Sequence, residues 1–145
     1  MKKVFLISSL FLFWACSSRF ELKYLKHKES YNQALICLLQ KYNIVFPTGL
    51  DSVATIEQKD LAKFSLCSSL DTLFAGDSLL YIDMERDSTV AFCSNFHGGM
   101  FSKQSIIVFL TDESKLSKKL TRNVQFKRKY SNGWFELERI VSLAD

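Results

Sequence analysis

The sequence predicts an α+β domain in which two N-terminal helices pack on an antiparallel sheet of four or five strands. Three observations carry this reading. Apolar residues recur at helical spacing from Tyr31 to Tyr42, they alternate with polar residues from Leu79 onward, and Asn132-Gly133 divides two alternating runs near the C-terminus. With one proline in 145 residues and no low-complexity stretch or repeat, a single core is expected. Ten of the thirteen Phe residues lie beyond residue 16 with Trp134 and all five Tyr, which suits a core between helices and a sheet.

The first helix is expected to begin at Ser30-Tyr31-Asn32-Gln33, which has the form of a capping box. Tyr31, Ala34, Leu35, Leu38, Leu39 and Tyr42 then form its apolar face. Ile44-Val45-Phe46 is read as a short strand closed by Pro47-Thr48-Gly49. Asp51 is placed as the N-cap of a second helix, with Val53, Ile56, Leu61, Phe64, Cys67 and Leu70 as a looser stripe. Ala75-Gly76-Asp77 ends the helical half.

The strand half starts at Leu79, with Leu80, Ile82 and Met84 on one face and Tyr81, Asp83 and Glu85 on the other. Residues 89–96 and 103–111 are the next strands, joined near His97-Gly98-Gly99, and 112–120 a short helix or helical turn. Residues 124–130 and 134–141 form the closing hairpin. A two-residue turn sets Lys129 opposite Glu136, Lys127 opposite Glu138, Tyr130 opposite Phe135 and Val124 opposite Val141. Arg128 and Arg139 interrupt the apolar face as snorkelling edge residues or a polar spot in a concavity. This order of elements, helices first and a meandering sheet afterwards, resembles the cystatin-like and NTF2-like cone folds. Such folds host binding modules and enzymes alike, so the fold does not supply a function.

Residues 1–16 carry the address. Lys2 and Lys3 precede an apolar run from Val4 to Ala15, and Cys16 is followed by Ser17 and Ser18. The run is shorter than the ~20 apolar residues of a membrane-spanning helix. With Ala15-Cys16 at its end, the segment resembles the signal of bacterial lipoprotein precursors. That resemblance implies cleavage before Cys16, lipidation of its thiol, and a signal peptide over 1–15. Residues 17–29 are polar and Lys-rich, a tether or a frayed first turn, so the chain is read as a lipid-anchored polar tether over 16–29 and a single domain over 30–145. Cleavage after Ser17, which would release a soluble protein, is the alternative that Ala15-Cys16-Ser17 leaves open. By the same resemblance the protein sits in the cell envelope, at the outer membrane facing the periplasm, with the membrane as its first partner.

Removing the signal takes away two of the nineteen basic residues and none of the fifteen acidic ones, so the mature charge is close to balanced. Export and that balance exclude nucleic acid as the expected partner. Cys37, Cys67 and Cys93 cannot all pair, and their spacing matches no zinc motif. They are read mainly as small buried hydrophobes, with a Cys37 to Cys67 bridge as the alternative.

Three groups of residues could carry chemistry. His97 lies beside two glycines that permit close ligand approach, although a hairpin turn accounts for them too. Four extended residues would separate Cys93 from His97 by about 13 Å, too far for a nucleophile and its base. Asp83 and Glu85 share a strand face roughly 6.6 Å apart, a spacing that paired catalytic carboxylates use. Lys115, Lys118, Lys119 and Arg122 would give a helix one basic, anion-binding face. No P-loop, dinucleotide fingerprint, nucleophile elbow or zincin helix is present. The expectation is therefore a non-catalytic module that binds a small ligand or an envelope protein, without cofactor or metal. An envelope hydrolase using Asp83/Glu85 or His97 and a binder of anionic lipid or lipopolysaccharide are the alternatives.

Overall fold

A computed structural model describes residues 24–46, 52–64, 67–96 and 102–141. The signal segment, Cys16, Pro47 and His97 lie outside the described residues. The chain is α+β, with helices preceding an open antiparallel sheet. Among the described residues the sheet has six strands, not four or five, in the order β1-β2-β3-β4-β6-β5.

Helix α1 covers residues 24–40 of the described chain and therefore includes residues 24–29, which the sequence assigned to a tether. Ser30 is not its cap. Tyr24 is as buried as Tyr31, Ala34 and Leu38, so the apolar face extends upstream of the capping box. Packing decides where the helix runs, because a short helix draws most of its stability from tertiary contact. Tyr24 stacks on Tyr130 with centroids 4.2 Å apart, and Tyr31 meets Phe92 edge-on at 5.1 Å. Helix α2, Tyr42–Val45, occupies the place expected for a short strand. Three apolar residues carry no period that separates the two states, and the Tyr42 hydroxyl donating to the Arg86 carbonyl at 3.1 Å fixes this turn.

The stripe read as one second helix is three elements. Val53–Glu57 is strand β1, Gln58–Phe64 is a 3₁₀ helix, and Ser68–Gly76 is helix α3. Val53, Thr55 and Ile56 are β-branched and favour a pleated surface. Only Ala54 and Ile56 of β1 reach the core, which is a period of two. The Glu57 N–H donating to Asp60 Oδ2 at 3.1 Å makes the turn out of the strand. Cys67, at the N-terminal boundary of α3, is bonded to Cys37 on α1. The bridge that the sequence leaves as the alternative is present, and Cys67 is also buried in the core.

Strands β2 (Leu79–Glu85), β3 (Val90–Phe96), β4 (Ser102–Phe109), β5 (Val124–Ser131) and β6 (Trp134–Val141) form the rest of the sheet. A bulge between Leu79 and Tyr81 turns Leu80 outward to 38% exposure, while Ile82 and Met84 stay buried as their alternation requires. A bulge adds one unpaired residue and resets the faces on one side of it. The same effect shifts the terminal hairpin. Gly133 has φ +77° and Asn132 is not left-handed, whereas a two-residue type I′ turn needs both residues at positive φ. Register shifts follow between Lys129 and Ser131 and again between Phe126 and Arg128. Val124 thus pairs with Arg139, Arg128 with Glu136 and Lys129 with Phe135, in place of the expected partners. Lys127 still meets Glu138, at 3.3 Å.

The two faces of the sheet differ. One carries Ile82, Met84, Val90, Phe92, Ile107 and Trp134 into the main core under α1 and α3. The other carries Cys93, Ile106, Val108, Phe135 and Leu137 into a smaller cluster with Leu110 and Val124. Residues 112–123 cross this second face as a strap containing a 3₁₀ turn, Glu113–Lys115, and a single turn of helix, α4, Leu116–Lys119.

Candidate functional site

The second face is concave. Val53 from edge strand β1 and Val124 from the opposite edge strand β5 line one cavity of about 210 Å³, so the sheet curls until its two edges share a space. Ala91, Ile106, Val108 and Leu137 form the apolar floor, with Cys93 among them. Asp83, Glu85, Lys119 and Arg139 are the charged residues of the wall.

Two polar ties cross the concavity. At one, Arg139 Nη1 on β6 donates to the Tyr81 hydroxyl on β2 at 3.0 Å and to Gln104 Oε1 at 3.4 Å. At the other, Lys119 of α4 forms an ion pair with Glu85 of β2. Around the second tie the strap is held by charge: Lys115 Nζ lies 2.7 Å from Asp87 Oδ2, and Glu113 accepts from Lys129 at 2.6 Å and from the Gly133 N–H at 3.1 Å. Leu116 adds a partly buried apolar contact. At Gly133 a Cβ would stand 2.7 Å from the Phe109 ring and 2.8 Å from the Leu110 carbonyl, so glycine is needed there for space as well as for φ.

The residues expected to act as an anion-binding face separate into two pairs. Lys115 and Lys119 are engaged by Asp87 and Glu85, while Lys118 and Arg122 are exposed. Lys118 and Lys119 line a shallow depression of about 490 Å³ with Thr121, Asn123 and Arg139. Lys119, Val124 and Arg139 also line the cavity, so the two spaces adjoin. Arg139, read from the sequence as a snorkelling edge residue or a polar spot in a concavity, is a member of both.

Asp83 and Glu85 do reach the same cavity, but each is occupied. Asp83 Oδ1 accepts from the Thr55 hydroxyl at 2.6 Å, and Glu85 faces Lys119. Burial pushes the Cys93 thiol up to about 11 against the lowering effect of Tyr81, so it stays protonated and is a poor nucleophile. Burial likewise raises the Tyr81 phenol. Among the described residues no group of three or more His, Cys, Asp or Glu is placed to hold a metal ion.

A second polar cluster was not legible in the sequence. Asp77, 1% exposed at the α3–β2 corner, accepts from the Tyr31 hydroxyl at 2.8 Å and lies 3.4 Å from His27 Nε2. His27 lies in the Lys-rich stretch that the sequence presents as a tether. These contacts join α1 to the corner and are structural, since the group is packed under the helix away from the concavity. Neither a family model, nor a curated protein, nor a solved structure matches the chain. Among the described residues no helix is long and apolar enough to cross a membrane.

Proposed function

We propose that the chain is a lipid-anchored binding protein of the bacterial cell envelope, attached through Cys16, that holds a small ligand on the concave face of its sheet without catalysis. The observation that carries the binding role is the cavity itself: an apolar floor, charged groups of both signs on the wall, and a strap joined to the opposite strand by ion pairs. Concave, mostly apolar sites with a few placed polar groups are where small ligands are held. The Cys37–Cys67 bond supports an oxidising compartment, which agrees with the export signal read in residues 1–16. An outer-membrane, periplasm-facing position rests on the resemblance of that signal to those of lipoprotein precursors.

Two measurements test this. The intact mass of the mature protein from its host's membranes is expected to equal residues 16–145 plus two or three acyl chains, with the lipid lost in Cys16→Ala. A lipid-free mass starting near Arg19 would overturn the anchor. Photo-crosslinking residues placed at Val53 and Lys118, at the mouth of the concavity, are expected to capture an envelope component that the same group at Ile36 on α1 does not. Equal capture from both sides would overturn the assignment of binding to this face.

A further inference from the structure

The depression and the cavity differ in chemistry along a single path. The depression is lined by Lys118, Lys119 and Arg139, the polar Thr121 and Asn123, and the apolar Val124, Ile140 and Val141, with no carboxylate. Beyond Lys119, Val124 and Arg139 the cavity has an apolar floor of Ala91, Ile106, Val108 and Leu137, with Asp83 and Glu85 on its wall. A cationic depression adjoining a chamber with an apolar floor is complementary to a molecule with a negative head and an apolar tail.

Two of the three cations at the entrance are available. Lys119 is compensated by Glu85. Among the described residues no carboxylate forms an ion pair with Lys118 or Arg139. The contacts of Arg139 are with the neutral Tyr81 and Gln104 and both use Nη1, whereas a guanidinium has five N–H donors. Arg also suits planar, bidentate recognition of carboxylate or phosphate. The chamber sets the length of the tail. At about 30 Å³ for each water-sized group, 210 Å³ holds roughly seven such groups, which a short tail fills.

Resting on the reading of the concave face as the binding site, we infer that its ligand is a short-chain anionic amphiphile, with a carboxylate or phosphate head at Lys118 and Arg139 and a tail of roughly seven carbons over Ala91, Ile106 and Leu137. Asp83 and Glu85 reinforce the choice of an uncharged tail, because an anion carried deeper would meet both.

Calorimetric titration of the Cys16→Ala protein tests this with octanoate, 1-octanol and inorganic phosphate as probes. Octanoate is expected to bind at least tenfold more tightly than either of the others. Lys118→Gln, at an exposed side chain, and Arg139→Gln are each expected to weaken octanoate several-fold and to leave 1-octanol unchanged. Ala91→Leu, which fills the chamber, is expected to abolish binding of both tailed probes, with circular dichroism verifying the fold. Equal binding of octanoate and 1-octanol would overturn the anionic head, and equal binding of phosphate and octanoate would overturn the tail. Sedimentation with phosphatidylglycerol vesicles, but not phosphatidylcholine vesicles, would assign the cations to a lipid surface and overturn the chamber as the site. Failure of every probe overturns this ligand class, while crosslinks from Val53 and Lys118 would still uphold the concave face as the binding surface.

Discussion

The helix-covered and concave faces belong to the same strands, yet they are built from different side chains and closed by different forces. Under α1 the sheet presents Phe92, Trp134, Ile82 and Met84, and an aromatic group of Tyr24, Tyr31, Phe109 and Trp134 fills the layer. On the other side β3 presents Ala91 and Cys93 where its covered side presents Val90 and Phe92. Small residues let the sheet curl toward that side, and what remains is a cavity closed by a strap with one apolar anchor, Leu116. Close packing stabilises the first face, and ion pairs between half-exposed groups hold the closure of the second. The lesson is that one sheet can separate rigidity from adaptability by residue size alone, since a filled layer is stiff and a partly filled one leaves room.

The difference predicts a ranking of substitutions. Phe92→Ala on the covered face is expected to destabilise the domain by about 4 kcal/mol, since the site is fully buried among rings that cannot collapse into the void. Cys37→Ser with Cys67→Ser follows at about 3 kcal/mol, because the bond spans 30 residues and restricts the unfolded chain. Leu137→Ala on the concave face is expected at the low end of its class, about 2 kcal/mol, because its side chain already borders a cavity. Urea unfolding of the three variants checks the order. If Leu137→Ala cost as much as Phe92→Ala, the faces would be equally packed and the contrast would fail.

The covered face was also the more legible one in the sequence. Tyr31, Ala34, Leu35 and Leu38 on the helix, and Ile82 and Met84 on the strand, follow the periods that burial imposes, and all are in the core. The capping box misplaced the start of α1 because it is a local signal, whereas Tyr24 is held by Tyr130 and Trp134 from the far end of the chain. Strand β1 was hidden inside a helical stripe, since residues spaced by three and by two overlap over so short a run. The concave site was least legible. Asp83, Glu85 and Lys119 were each noticed, but as a carboxylate pair and a basic face. Their meeting across the concavity depends on the curvature of the sheet, which no local sequence signal carries. Arg139 belongs to the site for the same reason: its partner Tyr81 is 58 residues away.

The smallest effects sharpen the comparison at the strap. Lys119→Gln removes one tie between half-exposed groups and is expected to change stability by less than about 1 kcal/mol. Amide exchange at 116–120 should nevertheless rise several-fold while exchange in β3 and β4 is unchanged. The companion tie titrates. Desolvation acts to raise the Asp87 carboxyl, but hydrogen bonds from Lys115 and Thr89 outweigh it and hold the group at about 2, below its ordinary 3.8. A carboxyl depressed in the folded state contributes stability that is complete above its unfolded value and is lost as pH falls through the folded one. Protection of the strap should therefore be constant at neutral pH and decline between about pH 4 and pH 2. Asp87→Asn should lower protection at pH 7 and make the decline shallower, leaving the part due to Glu113, whose carboxyl the hydrogen bond from Lys129 also holds below its ordinary value. Loss of exchange protection in β3 over the same pH range would mean that the strap and the covered core open together, and the two faces would then be one cooperative unit.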